Sequence, residues 1–397
     1  MKRTAPLALL LLGILFATVT LVACGPSSGS SSSSASSSSE AQSQSSSAMD
    51  QASATKVYDM QFHRGGRDAR PENTLYSYQY AIENGATTIE CDMQLTKDGQ
   101  IVMSHNPTLN PEVTLDAQGN RVEKDKYYIN QLSLDELRAY NVGRMDESTE
   151  YYNLHGKTQV QTDAKIPTLR ELFELVRDSG DTNVRLNIET KSYPDPALGE
   201  KYANNSNMDT MVNEFYSLVK EFGFQDRVTL QSFDWSTLAK MEQIDPSIET
   251  SALYSEEPSW GIDGTTLWIG RKEASPWLGG VNINDFNNDP VKAAHSLGID
   301  VVSPYYTEVV AETIKEAHEF GMKVIPWSVN EREDMEKLYN MGVDGIITDR
   351  PWVLREFLES KGETIYPKKT VDLPYHLDPD HLDVETTKAE GGSDASH

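Results

Sequence analysis

Two cysteines in 397 residues are too few for a disulfide framework. Cys91 falls between Glu90 and Asp92 in an alternating stretch, so its side chain points away from both carboxylates. A small buried hydrophobe is the reading to prefer there over a reactive thiol. Positive charge is scarce as well: 35 Lys and Arg stand against 61 Asp and Glu, a formal charge of −26. That balance excludes nucleic acid as a partner and leaves no basic face for anionic lipid. Long apolar runs are missing too, except one at the start. Lys2 and Arg3 precede the apolar stretch Ala5 to Val22, the pattern of a targeting segment.

Leu21-Val22-Ala23-Cys24 at the end of that stretch looks like a bacterial lipobox. Residues 1–23 are therefore expected to be a lipoprotein signal peptide and Cys24 the lipidated residue, with an uncleaved transmembrane anchor as the rival reading. Loss of Lys2 and Arg3 with the leader would take the charge from −26 to −28. Residues 24–55 are Ser-rich and read as a flexible tether. Residues 363–397, with Asp378, Asp380, Asp383 and Glu385, read as an acidic disordered tail. The whole pattern predicts an extracytoplasmic protein held to a membrane through Cys24.

Residues 56–362 form one α/β domain in this reading. Apolar runs at 57–62, 87–92, 184–189, 228–232, 249–253, 299–303, 323–327 and 344–348 predict eight strands. Helical patterns at 74–84, 168–178, 208–222, 235–244, 308–320, 331–341 and 351–360 alternate with them. Repeated strand-then-helix units imply a TIM (β/α)8 barrel. Two segments exceed ordinary connections. Residues 106–165, with a helix at 133–140, predict a small insertion after the second strand. Tyr254 to Pro290 predicts a long loop over the C-terminal face.

The densest chemistry lies between Gln61 and Asn110. A first strand ends in His63-Arg64-Gly65-Gly66, and a second carries Glu90 and Asp92 on one face. Asp98-Gly99 then predicts a two-residue hairpin turn, pairing Leu95 with Val102 and Asp92 with His105. Glu189 ends the next barrel strand. Glu90, Asp92 and Glu189 make a hard oxygen site, suited to Ca2+ or Mg2+ rather than Zn2+. A Glu90/Glu189 pair of glycosidase type and a structural ion-pair network are the competing readings. His63 and His105 beside this cluster suit proton transfer at a phosphoryl centre, and nothing in the sequence says which is acid and which base. Arg64 and Lys191 are candidate phosphate clamps, whereas Arg67 and Arg70 read as solvent-facing loop charges. Trp327 ends a strand and serves as a pocket wall or as core.

His-Arg-Gly, Pro71-Glu72-Asn73-Thr74, Ile-Glu-x-Asp at 89–92, Thr96-Lys97-Asp98-Gly99 and His105 together resemble the glycerophosphodiester phosphodiesterase family. The likeness continues at Leu186 to Lys191, at Gln231 to Asp234, at Pro326 to Asn330 and at Gly342 to Pro351. The resemblance implies hydrolysis of a small glycerophosphodiester to glycerol 3-phosphate and an alcohol. It implies metal ligands at Glu90, Asp92 and Glu189, catalytic histidines at His63 and His105, and phosphate contacts at Arg64 and Lys191. A related barrel phospholipase or lyase, and a binding lipoprotein without turnover, are the alternatives. Asn106 stands where the family usually has Asp.

Overall fold

The computed structural model describes residues 57–195, 208–258 and 265–377. The leader, Cys24, the tether and part of the 254–290 segment (259–264) lie outside the described residues, as does the chain beyond 377. Eight parallel strands form a barrel: β1 (Asp59–Phe62), β2 (Thr88–Leu95), β4 (Arg185–Thr190), β5 (Val228–Ser232), β6 (Glu249–Tyr254), β7 (Val301–Pro304), β8 (Lys323–Val324) and β9 (Gly345–Thr348). Their order is β8-β7-β6-β5-β4-β2-β1-β9, with β3 (Ile101–Met103) antiparallel on β2. Pro326 has no N–H, so β8 is short, and the ring closes through a few separate backbone bonds instead of a regular ladder. Asp344 N–H donates to Val324 C=O at 2.9 Å and Ile347 N–H to Pro326 C=O at 3.0 Å. This is the TIM barrel that the strand–helix alternation predicts.

Capping chemistry starts the surrounding helices. Thr74 and Ser77 form a reciprocal box at α1 (Leu75–Glu83), and Thr168 and Glu171 do so at α3 (Leu169–Asp178). Between α1 and α3 the insertion's α-helix is a single turn, α2 (Leu134–Leu137), shorter than its pattern suggests, beside a 3-10 turn at Ile129–Gln131 and a π-helical turn at Tyr152–Gly156. Asp234 caps α5 (Trp235–Ile244), which follows α4 (Met208–Phe222) and β5. The later barrel helices are α7 (Ala311–Glu319), α8 (Arg332–Met341) and α9 (Pro351–Lys361). The main core lies between strands and helices, with Phe62, Ile89, Phe173, Phe215, Trp235 and Phe357 fully buried.

Three expectations need correcting. The 254–290 segment leads into a helix that sequence reading passed over, α6 (Pro290–Ser296), where Asp289 accepts the N–H groups of Val291 and Lys292. Residues 363–377, expected to belong to a disordered tail, are tied to the domain at several points although most of them are exposed or half-buried. Val371 is buried, and Gln79 of α1 donates to Leu373 C=O at 3.2 Å while accepting from Tyr375 N–H at 2.9 Å. The hairpin register is slipped by one: Leu95 pairs with Ile101, and Ser104 N–H donates to Asp92 C=O. Asp98 is not free to sit in a two-residue turn. Its carboxylate accepts from the Thr96 hydroxyl at 2.6 Å and from Leu134 N–H at 3.1 Å, so the loop is Lys97-Asp98-Gly99 with Gly99 at φ +79°.

Candidate active site

The first turn after β1 sets the geometry. Arg64 adopts φ +49° within the turn His63–Gly65, and Gly65 and Gly66 follow at +80° and +94°. This reversal aims Arg64 N–H at Glu90 Oε2, 2.9 Å away. Only glycine suits position 65, where a Cβ would stand 2.6 Å from Ser77 Oγ and 2.9 Å from the Ser77 carbonyl carbon.

Strand register gathers the carboxylates. Asp92 on β2 lies directly beside Glu189 on β4, and Glu90 beside Asn187. One oxygen from each of Glu90, Asp92 and Glu189 falls within 4.8 Å of the others, and all three side chains are buried. Two cations press on the cluster. Lys191 Nζ is 2.8 Å from Glu189 Oε1 and 3.4 Å from Asp92 Oδ1, and Arg64 Nε is 3.4 Å from Asp92 Oδ2. Burial, and then the charges of Asp92 and Glu189, push the Glu90 carboxyl well above its usual range. Burial acts the same way on Asp92, yet Lys191, His105 and Arg64 outweigh it and hold that carboxyl well below its usual range. Asp92 Oδ1 is buried and makes no hydrogen bond among the described residues. Three converging carboxylates with no sulfur or imidazole donor among them, one with an oxygen unbonded, fit a hard divalent cation.

Both histidines reach this cluster. His63 Nε2 lies 3.8 Å from Glu90 Oε2, while its Nδ1–H donates to Asp349 Oδ1 at 2.6 Å. His105 sits on a bend past β3, its carbonyl accepting from Gln94 Nε2 at 3.1 Å and its Nδ1–H donating to Asn106 Oδ1 at 2.7 Å. Asn106 thus keeps the acceptor that an Asp would supply, without the charge. Burial lowers the proton affinity of both rings; for His105 the neighbouring Arg64 and Lys191 lower it further. His63, His105, Arg64, Lys191, Glu90 and Glu189 line one cleft of about 400 Å³. Its other wall is apolar. Trp327 is 7% exposed, meets Phe233 edge to face at 5.3 Å, and donates its indole N–H to Ser303 C=O. Trp277, from the 254–290 segment, backs Phe233 with ring centroids 6.5 Å apart.

The model of the glycerophosphoryl diester phosphodiesterase family matches residues 63–353. This chain belongs to that family. It is 29% identical over 305 residues to the glycerophosphodiester phosphodiesterase of Caldanaerobacter subterraneus subsp. tengcongensis, covering 76% of this chain and 97% of that one. To the glycerophosphodiester phosphodiesterase of Bacillus altitudinis it is 25% identical over 297 residues, 75% and 95% of the two chains. The crystal structure of a candidate glycerophosphoryl diester phosphodiesterase from Silicibacter pomeroyi DSS-3 superposes with a TM-score of 0.66 at 30% identity, over 78% of this chain and 95% of that one.

Several residues of this family member acquire contacts that the sequence reading did not assign. Asp349, inside the last family motif, holds His63 and takes two bonds from Arg67, at 2.7 and 3.0 Å, and one from Asn330 at 2.8 Å. Arg67 and Arg70 are not solvent-facing: each is 3% exposed. Arg70 donates to Ala69 C=O and lies over the Tyr80 ring at 4.8 Å. The insertion closes over this loop, with His155 Nδ1–H donating to Asp68 at 2.7 Å, Thr158 hydroxyl to Asp68 C=O at 2.7 Å, and Tyr151 hydroxyl to Glu72. Glu72 in turn holds Arg64 at 3.2 Å.

Proposed function

We propose that this chain hydrolyses glycerophosphodiesters to glycerol 3-phosphate and an alcohol, with His63 and His105 as its proton carriers. The observation that carries this is the convergence, in one cleft, of two imidazoles and two cations on three buried carboxylates, in a chain of this family. Arg64 and Lys191 seat the phosphoryl oxygens, Arg64 through its planar fork and Lys191 as a point charge. One histidine Nε2 takes the proton of the glycerol hydroxyl beside the phosphate as that oxygen bonds to phosphorus. The other gives a proton to the departing alcohol oxygen as its bond to phosphorus breaks. Water then opens the cyclic phosphate with the roles exchanged: the now neutral histidine takes the water proton, and the first protonates the ring oxygen. Asp349 and Asn106 each engage an Nδ1–H, which leaves both Nε2 atoms to do this work. Glu90, Asp92 and Glu189 would hold a divalent cation, Ca2+ or Mg2+, which when bound stabilises negative charge on the phosphoryl oxygens.

The test is turnover of glycerophosphocholine, glycerophosphoethanolamine and intact phospholipid by purified protein, in chelator and after adding metal back. Hydrolysis of the glycerophosphodiesters that stops on chelation and returns with Ca2+ or Mg2+ is the expected result. Full activity in excess chelator, with the metal content measured at zero, removes the metal from the scheme. We further propose that Cys24 is lipidated and anchors the domain outside the cytoplasm, on the strength of Leu21-Val22-Ala23-Cys24 after an apolar run. A Cys24→Ala protein should leave the membrane fraction; if it stays there, the anchor lies elsewhere.

A further inference from the structure

A second cleft of about 400 Å³ opens on the far side of His105, between the barrel and the insertion. His105 is common to both clefts. Its floor is Met103 and Ile166, and the insertion contributes Leu109, Asn110, Val113 and Thr114. Thr114 is 1% exposed, yet its hydroxyl finds no hydrogen-bond partner among the described residues. A buried hydroxyl left unpaired is destabilising, so its retention in the wall of a cleft points to a ligand that satisfies it.

We propose that this cleft is the subsite for the alcohol half of the diester, and that it selects an uncharged polyhydroxy alcohol. The inference rests on the proposed diester hydrolysis. The lining chemistry chooses the class. No Lys or Arg among the described residues lines the cleft, so a second anionic group has no partner there. Its only ring is the His105 imidazole, so it offers no aromatic cage for a quaternary ammonium. Glu72 contributes the one carboxylate, already engaged by Arg64 and Tyr151, which leaves little net charge to draw a cation. What remains is a lining of uncharged polar side chains, Asn73, Ser104, Asn106, Asn110 and Thr114, together with aliphatic ones from Met103 to Ile166. A polyol presents both hydroxyl and C–H groups, which such a mixed lining can meet without any charge. His105, as the shared boundary, then stands where the bond to the alcohol breaks.

Thr114→Val tests this, because valine keeps the shape and removes only the hydroxyl. The substrates are glycerophosphoglycerol and glycerophosphocholine, with glycerol 3-phosphate as competitive inhibitor and thermal unfolding as the control. The variant should raise KM for glycerophosphoglycerol about five- to tenfold, a span typical of one lost hydrogen bond to a substrate hydroxyl. KM for glycerophosphocholine and Ki for glycerol 3-phosphate should stay within twofold, and the unfolding temperature should hold or rise. Equal losses on both diesters and on the inhibitor, or an unchanged preference, overturn the subsite. A wild-type protein that turns over neither diester, yet binds glycerol 3-phosphate, defeats the hydrolytic reading itself. An Asn110→Leu variant, which removes a second polar group that the insertion brings to the cleft, must weaken the polyol diester too if the site is real.

Discussion

Asp349→Asn isolates the support of one histidine from everything else in the cleft. Four hydrogens converge on this carboxylate: His63 Nδ1–H at 2.6 Å, Arg67 Nε–H at 2.7 Å and Nη2–H at 3.0 Å, and Asn330 Nδ2–H at 2.8 Å. An amide offers one oxygen where the carboxylate offers two. If its nitrogen turns toward His63, it donates to Nδ1 and forces the ring proton onto Nε2, the atom that must accept one. If its nitrogen turns toward Asn330, it meets the donors of Arg67 and Asn330. Asn330 is not free to flip in response, because its oxygen already accepts Asp349 N–H at 2.9 Å. The negative charge that steadies a protonated His63 is lost in either case. Removing such support from a proton-transferring histidine lowers kcat by roughly 10²–10⁴-fold, or about 3–5 kcal/mol on the barrier. KM should barely move, since Asp349 does not line the cleft. The assay is kcat and KM beside the unfolding temperature, because the weakened Arg67 pairing also costs about 1–3 kcal/mol of stability. A kcat within threefold of wild type in a folded Asp349→Asn protein would refute the reasoning.

Two further substitutions probe the frame. Gly65→Ala should destabilise by about 2–4 kcal/mol, from a strained φ and a Cβ pressed against Ser77 backbone; an unfolding temperature within 1 °C of wild type, by calorimetry, would contradict this. The half-buried Glu242 carboxyl is raised to about 6 by burial, with the Thr250 hydroxyl and Asp300 as its neighbours. A carboxyl with a folded-state pKa above its unfolded value loses stability as pH climbs from about 4.5 to 6. Glu242→Gln should therefore gain on the order of 1 kcal/mol at pH 8, after discounting for exposure, and nothing at pH 4. Equal gains at both pH values would show that charge is not the cause.

Some of this site is legible because strands are periodic. Glu90 and Asp92 differ by two positions, so one apolar run places both on one face, and chain order makes β4 the neighbour of β2 on the side away from β1. The carboxylate trio needs nothing more. The hairpin was harder, since Asp98-Gly99 satisfies a two-residue turn equally well on paper. Contacts from Thr96 and Leu134 decide otherwise, and Leu134 is 36 positions away. Helix α6 was missed for length: seven residues carry too few turns for a periodic signal. Its readable mark was Asp289-Pro290, a cap followed by a first-turn proline.

The support of His63 lies 286 positions from it, and local pattern cannot reach so far. Barrel closure can. β1 pairs with β9, so the loops after these two strands must meet. The first carries Arg67-Asp68 and the second Asp349-Arg350, opposite in order. Arg67 pairs with Asp349 at 2.7 Å and Asp68 with Arg350 at 2.9 Å, a crossed double ion pair in which each carboxylate has its own guanidinium. Either arginine taken alone reads as a loop charge, because an unpaired guanidinium belongs in water. Set against its reversed counterpart after the strand that closes the ring, each reads as an ion-pair partner instead, Arg67 buried and Arg350 partly exposed. The insertion then seals the pair through His155, which is why the first loop is dry enough for one carboxylate to hold both Arg67 and His63.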